Sequence, residues 1–118
     1  MEFKNNQAIY LQIADHFLEN ILQKKWGKGD KIPSIRDLAI AFEVNPNTTM
    51  RTFNYLQEKE IIFNKRGMGY YVAEDGYEKT LQLKKEKFIA EEIPAFFKTM
   101  GLLGISFEDL QTYVHPSS

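Results

Sequence analysis

The sequence predicts a mainly α protein with one small β-hairpin, in which a winged helix-turn-helix is followed by a two-helix C-terminal appendage. Three observations lead to this fold class. Apolar residues recur at helical spacing over residues 8–25, two short helices joined by a tight turn follow, and two β-rich runs flank a glycine-containing turn within residues 61–73. Residues 1–75 are expected to form the winged helix-turn-helix, and residues 76–118 the helical appendage.

Composition and charge limit the classes of protein that fit. Of the 118 residues, 43% are hydrophobic and 26% are charged, which is typical of a globular domain. The absence of Cys excludes disulfides and thiolate metal sites. No signal peptide and no apolar run of about 18 residues is evident, so a cytoplasmic location is expected.

The net charge of −1 argues mildly against a nucleic-acid partner. Residues 1–76 hold ten Lys and Arg against ten Asp and Glu, and residues 77–118 hold five Lys against six acids. Any face that binds nucleic acid must therefore be basic locally, through the placement of its charges.

The first predicted helix covers residues 8–25. Two adjacent apolar stripes run along it: Ile9, Ile13, Phe17 and Ile21, and Tyr10, Ala14, Leu18 and Leu22. This broad apolar face predicts an amphipathic helix packed on a core. Lys24 and Lys25 are expected in its last turn, where cations suit the helix dipole. The following WGKGD, with two Gly in five residues, predicts a turn.

The next two helices are short and carry clear start signals. Ser34 is a good N-cap, and Asp37 three residues later completes a capping-box-like pattern. After a brief turn from Glu43 to Pro46, Asn45 can cap the next helix and Pro46 fits its first position. Two helices joined in this way predict a helix-turn-helix.

The second of these helices has one apolar face and one polar face. On a helical wheel of residues 47–56 the first face contains Thr49, Thr52, Phe53 and Leu56, and the other contains Asn47, Arg51, Asn54 and Tyr55. A helix fits the major groove of B-DNA, where Arg pairs with guanine and Asn with adenine in bidentate fashion. We therefore expect Asn47, Thr48 and Arg51 to enter the groove, and Arg36 to contact a phosphate or a base edge.

The hairpin has a basic tip, Lys65-Arg66-Gly67-Met68-Gly69. Glycine allows the backbone to approach closely and the two cations supply charge, so this tip is expected along the flanking DNA backbone or the minor groove.

The C-terminal region predicts a helix over residues 77–100, which Pro94 should kink or restart, and which GLLG should end. Ser106 can cap a last short helix, with Asp109 at the box position. Some 40 residues have little core of their own, and an exposed aromatic patch usually marks an interface. The apolar residues expected at a dimer interface are Phe88, Ile89, Ile93, Phe96, Phe97 and Met100. Packing of this helix on the chain's own core is the alternative.

The helix, turn and hairpin patterns described above together resemble the winged-helix domain of GntR-type bacterial transcription regulators. The marks are GDKIPSIRDLA, VNPNT, LQEKEII and the wing RGMGYYV, which in this order cover about residues 9–73. The tail KFIAEEIPAFFKTMGLLGISFEDLQTYV is similar to the YtrA-like subgroup, in which a pair of C-terminal helices serves dimerisation. The resemblance implies a homodimer on a two-fold symmetric operator.

The resemblance also implies DNA-contacting roles for residues at matching positions. The predicted set is Arg36, Asn45, Asn47, Thr48, Arg51, Lys65, Arg66 and Gly67. Two positions depart from the common pattern. Met50 stands where an Arg is usual, which leaves Arg51 as the one cation among residues 46–58, and Glu43 stands where the turn usually carries Gly. Glu43 must then itself adopt any left-handed conformation.

The sequence therefore predicts a dimeric, sequence-specific DNA-binding transcription regulator, with repression as the expected outcome. It is not expected to be an enzyme, because Asp15, Glu19 and His16 share one helix surface without a nucleophile to complete a catalytic site. No cofactor is expected, because two scattered His without Cys do not form a metal-binding pattern. A winged-helix module that binds protein instead of DNA is the alternative. A small-molecule effector is left open, since no convergent polar set names one.

Overall fold

The computed structural model of the protein describes residues 7–114, and it confirms the predicted fold class. The elements follow one another as α1 (Ile9–Leu22), α2 (Ile35–Phe42), α3 (Pro46–Glu58), β1 (Ile62–Lys65), β2 (Gly69–Val72), α4 (Gly76–Lys87), a π-helical turn (Phe88–Glu92), α5 (Ile93–Leu103) and α6 (Phe107–Tyr113). The chain divides into two compact units between residues 82 and 83. The expected boundary after residue 75 falls at the start of α4. It stays a prediction about which segments bind DNA and which dimerise. Residues 1–6 and 115–118 of those two expected domains lie outside the described residues.

Aromatic rings connect the elements of the first unit. Phe17 of α1 lies with its ring centroid 5.2 Å from Trp26 and 5.4 Å from Phe53 of α3, and Phe53 lies 4.6 Å from Tyr70 of β2. All three pairs are edge-to-face, the geometry that aromatic quadrupoles favour. Trp26 therefore anchors the chain where it leaves α1, and the hairpin is packed directly on α3.

The end of α1 differs from the prediction. The helix ends at Leu22, and Lys24 adopts a left-handed conformation with φ of 62°. The amide of Lys25 donates to the carbonyl oxygen of Asn20 at 2.8 Å, which closes the helix as a Schellman motif does. Lys24 and Lys25 are thus outside the last helical turn.

Both predicted caps of the helix-turn-helix are present. Ser34 Oγ accepts from the amide of Asp37 at 3.0 Å, and Asn45 Oδ1 accepts from the amide of Asn47 at 2.8 Å. Between these helices Glu43 has φ of 57°, so a non-glycine residue does carry the left-handed turn. The amide of Val44 donates to Ala39 O at 3.0 Å and fixes the angle between α2 and α3.

The hairpin pairs β1 with β2 in antiparallel register from Ile62 and Val72 to Lys65 and Gly69. A segment that sequence patterns did not assign to the wing extends it. The amides of Gly29 and Ile32 donate to the carbonyl oxygens of Val72 and Tyr70, each at 2.9 Å. The turn after α1 therefore runs along the outer edge of β2 and holds it in place.

The second unit begins within a long helical segment. The π-helical turn Phe88–Glu92 precedes Pro94, which lies in the first turn of α5. Because proline has no amide hydrogen and its ring displaces the carbonyl four residues earlier, the helix restarts here as predicted. GLLG ends the helix as predicted, although α5 runs three residues past the expected end at residue 100 and continues through Gly101 to Leu103. Gly104, with φ of 68°, ends it.

The last helix begins as predicted, with a reciprocal capping box at Ser106. Its Oγ accepts from the amide of Asp109 at 3.0 Å, and the Asp109 carboxylate accepts from the amide of Ser106 at 3.1 Å. No helix within residues 7–114 is long and apolar enough to cross a membrane.

Candidate nucleic-acid interface

Helix α3 has the two faces that its sequence predicts. Thr49, Thr52, Phe53 and Leu56 are each 0% exposed. Asn47, Arg51 and Asn54 are exposed, and Thr48 is half-buried at the edge. The buried face fixes the rotation of α3 about its own axis, so the amides and the guanidinium project away from the core.

The first turn of α3 is tied together by Asn45. The side chain of Asn45 accepts from Asn47, and its carbonyl oxygen accepts from the amide of Thr48 at 2.9 Å. The Oδ1 atom is thereby used as a helix cap, while the Nδ2 group keeps its donor hydrogens. Asn45 therefore holds the backbone of the residues predicted to enter the groove, in the capping role that the sequence predicts, while its contact with DNA stays a prediction.

Arg51 does not extend freely into solvent. Its guanidinium carbon lies 4.2 Å from the ring centroid of Tyr10, at the beginning of α1. The neighbouring residue Thr52 donates its hydroxyl hydrogen to the carbonyl oxygen of Tyr10 at 2.7 Å. Two successive residues of α3 therefore contact one residue of α1. Sequence analysis placed Tyr10 in an apolar stripe and missed this contact.

Tyr55 continues the same surface one turn further along α3. Its ring centroid lies 6.4 Å from that of Tyr10 in an edge-to-face pair, and Lys59 Nζ lies 5.8 Å from the Tyr55 ring. Burial raises the pKa of Tyr55, and the nearby charge of Asp15 raises it further. A phenol is already neutral at physiological pH, and this shift keeps Tyr55 in that form, with a hydroxyl to offer.

Arg36 lies exposed in the first turn of α2. Within the part of the chain that the structure describes, its side chain makes no ion pair and no hydrogen bond, with the neighbouring Asp37 or with any other residue. The guanidinium keeps all five N–H donors for a ligand.

The tip of the hairpin contains Arg66, Gly67 and Met68, with Lys65 and Gly69 as the last paired residues. Gly67 has φ of 78°, and no neighbouring atom lies within 4 Å of the position that a Cβ would occupy, so the turn is open on its outer side. Lys65 Nζ lies 4.7 Å from the ring centroid of Tyr71. Tyr71 stacks at 5.9 Å on Phe63 across the hairpin, which supports the lysine stem.

The predicted DNA-contacting residues thus lie in three places: Arg36 at the start of α2, the group Asn45 to Arg51 at the start of α3, and Lys65 to Gly67 at the hairpin tip. All are exposed except the half-buried Thr48. Their contact with DNA stays a prediction. Met50, which replaces a common arginine, is 47% exposed.

The predicted dimer residues lie in the second unit and are largely exposed. Phe88, Ile89, Phe96 and Phe97 are between 48% and 61% exposed, and Ile93 is half-buried. Met100 is 7% exposed and offers little area to a partner. Sequence analysis missed further exposed apolar residues: Leu102, Leu103, Phe107, Tyr113 and Val114. Their clustering at the chain's end was the available signal.

A helix-turn-helix with a polar, solvent-facing second helix and a basic hairpin tip defines a DNA-binding winged-helix protein. Residues 9–72 match the sequence profile of the bacterial regulatory proteins of the gntR family. The chain belongs to this family and is a DNA-binding transcription regulator, not an enzyme.

Similarity to small regulators of this family extends over nearly the whole chain. The HTH-type transcriptional regulator YhcF of Bacillus subtilis is 36% identical over 92% of this chain and 88% of its own length. The HTH-type transcriptional repressor YtrA of the same species is 31% identical over 94% and 85%. A GntR family regulator from Listeria monocytogenes superimposes with a TM-score of 0.78 at 36% identity, covering 95% of this chain and 96% of that one.

Proposed function

We propose that the protein is a homodimeric repressor that binds a two-fold symmetric operator through α3 and the hairpin tip. The observation that carries this proposal is the exposed polar face of α3, with Arg51 held at its centre. Phosphate contacts by Arg36, Lys65 and Arg66 position the domain, and Asn47, Thr48 and Arg51 contact base edges. A cytoplasmic location stays a prediction, and it is the location that binding to operator DNA requires.

Dimerisation is supported by the apolar surface of the second unit. A single chain leaves Phe88, Phe96 and Phe97 about half exposed and Leu102 77% exposed, and soluble proteins rarely expose contiguous apolar patches of this kind. A two-fold dimer buries such a patch against its own copy and presents two recognition helices to two half-sites. Two arguments support repression. The similar protein YtrA is a transcriptional repressor, and a dimer bound to an operator can exclude RNA polymerase from the promoter.

A cleft among the described residues of the first unit is a candidate location for a small-molecule effector. The cleft, of about 440 Å³, is lined by Trp26 and Tyr77 with charged residues at its rim, including Lys24 and Glu78. Lys24 Nζ lies 5.2 Å from the Tyr77 ring, so the cleft already contains a cation over an aromatic face. A thermal-shift screen of metabolites tests whether the cleft binds a small molecule.

The test of DNA binding is a titration of duplex fragments from upstream of the protein's own gene, at two salt concentrations. We expect one fragment to be preferred, with affinity falling steeply as salt rises because phosphate contacts release counterions. Arg51→Ala should weaken binding to that fragment by about 1–3 kcal/mol. Arg66→Ala should weaken all fragments alike and reduce the salt slope by about one.

The matched control is Lys25→Ala, which removes one exposed positive charge from the turn after α1. It should leave fragment preference unchanged. Weak, salt-insensitive binding without preference, equal in wild type and Arg51→Ala, would favour the alternative module that binds protein.

A further inference from the structure

Tyr10 makes two contacts with α3 that differ in kind. Its ring lies under the Arg51 guanidinium at 4.2 Å, within the distance of about 6 Å at which a cation and an aromatic face attract. Its backbone carbonyl oxygen accepts from Thr52 at 2.7 Å. The hydrogen bond sets the position of the Tyr10 backbone against α3, and this places the Tyr10 ring beside the Arg51 side chain.

A second ring fixes the orientation of the Tyr10 side chain. Tyr55 packs edge-to-face on Tyr10, and Lys59 lies over Tyr55 at 5.8 Å. Arg51 and Tyr55 lie four residues apart and so share one stripe of α3, and Lys59 follows directly after the last residue of that helix. Tyr10 lies against this stripe, and the result is a ladder of cation, ring, ring and cation.

The position of Arg51 over the Tyr10 ring is compatible with full use of its N–H donors by another partner. A guanidinium uses its flat face against an aromatic ring, while its N–H donors point outward in the plane of the group. Those in-plane donors form the bidentate pair with guanine. An unsupported arginine must lose side-chain freedom when it binds a base, whereas one already held against a ring loses less.

We propose that Tyr10 is a positioning residue that orients Arg51 for base recognition, so that a residue of α1 contributes to sequence selectivity without contacting DNA. This inference rests on the proposed function of α3. It assigns to Tyr10 an effect on the preferred duplex, and no effect on binding to unrelated duplexes, where phosphate contacts dominate.

The test is a double-mutant cycle between position 10 and Arg51. Tyr10→Leu should weaken binding to the preferred duplex by about three- to tenfold and leave binding to a scrambled duplex unchanged, while Tyr10→Phe, which keeps the ring, should stay within about twofold of wild type. In the Arg51→Ala background, Tyr10→Leu should cause no further loss. His16→Leu removes a ring of α1 that packs on Phe42 of α2 at 5.6 Å instead, and is the matched control.

A measurement without DNA separates this inference from the proposed function. The ring current of Tyr10 should move the Arg51 side-chain NMR signals upfield in wild type and Tyr10→Phe, but not in Tyr10→Leu. Equal weakening of both duplexes by Tyr10→Leu, or a loss that persists without Arg51, overturns the positioning role and indicates a structural one. If wild type prefers no duplex, the proposed function fails and the positioning role with it, whereas the NMR shift then records a contact that serves folding alone.

Discussion

The two units of the chain treat their apolar side chains in opposite ways. The first unit buries its large apolar residues along a chain of rings from Trp26 through Phe17 and Phe53 to Tyr70. The second unit carries comparable residues, yet only Met100 among the described apolar side chains of residues 83–114 is buried, and Phe96, Phe97 and Phe107 face solvent. One unit has a complete core in a single chain, and the other has an unpartnered apolar surface.

This difference indicates that the two units have different roles. A recognition helix needs a fixed rotation, and the zero exposure of Thr49, Thr52, Phe53 and Leu56 supplies it without a partner. A short helical tail cannot enclose a core by itself, which is why we propose that a second copy covers its apolar residues. Trp26, the single tryptophan, lies in the first unit, so its fluorescence follows the unfolding of that unit.

The largest expected effect contrasts a buried leucine with an exposed one. Leu56→Ala should lower the free energy of unfolding of the first unit by about 2–5 kcal/mol, because it leaves a cavity beneath α3. Leu102→Ala makes the same chemical change at a residue that is 77% exposed, and should leave the Trp26 transition unchanged. Denaturant titration followed by Trp26 fluorescence measures both. Equal losses would contradict the division into units.

The next effect concerns the exposed surface of α5. Phe97→Asp places a charge in the predicted interface and should shift the protein from dimer to monomer, since an unpaired buried carboxylate is costly. Sedimentation velocity at several concentrations measures this. Thr99→Asp adds the same charge at an exposed polar residue of the same helix and should remain dimeric. A Phe97→Asp protein that stays dimeric would remove this residue from the interface.

A smaller effect compares the helix caps of the two units. Asn45→Ala removes the acceptor at the start of α3 and should cost about 0.5–2 kcal/mol in the Trp26 transition. Ser106→Ala removes the capping box of α6 and should fray that helix while leaving the Trp26 transition in place. Far-ultraviolet circular dichroism detects the fraying, and a shared transition for both variants would argue for one cooperative unit.

The smallest effect sharpens the account of the turn between α2 and α3. Glu43 has φ of 57°, a conformation that costs a non-glycine residue about 1 kcal/mol or more. Glu43→Gly should therefore raise the free energy of unfolding by about 0.5–1 kcal/mol, after the greater freedom of glycine in the unfolded chain is counted. A decrease in the same denaturant titration would mean that the Glu43 side chain stabilises the turn.

Local signals predicted much of the fold. The spacing of Thr49, Thr52, Phe53 and Leu56 fixed the buried face of α3, and the cap residues Ser34 and Asn45 marked two helix starts. The features that sequence analysis missed depend on tertiary contacts or on unusual residues. Lys24 follows α1 in a left-handed conformation, for which the usual sequence signal is a glycine. Gly101, a residue type that usually ends helices, lies inside α5.

The candidate interface also contains features that local sequence patterns predict and features that depend on tertiary contacts. The exposure of Arg36, Arg51 and Arg66 follows from local periodicity and from the hairpin pattern. The contact between Arg51 and Tyr10 joins residues 41 positions apart along the chain, so no local pattern contains it. The pairing of residues 29–32 with β2 is likewise a tertiary contact.

The most direct test of the whole account is the number of chains bound to one duplex. Sedimentation of the preferred fragment, reduced to two inverted half-sites or to one, measures this number for wild type and Phe97→Asp. The account predicts two wild-type chains on the paired half-sites, with higher affinity than on one half-site, and loss of that advantage in Phe97→Asp. One chain per duplex, or an advantage that survives Phe97→Asp, would contradict a dimeric regulator held together by its second unit.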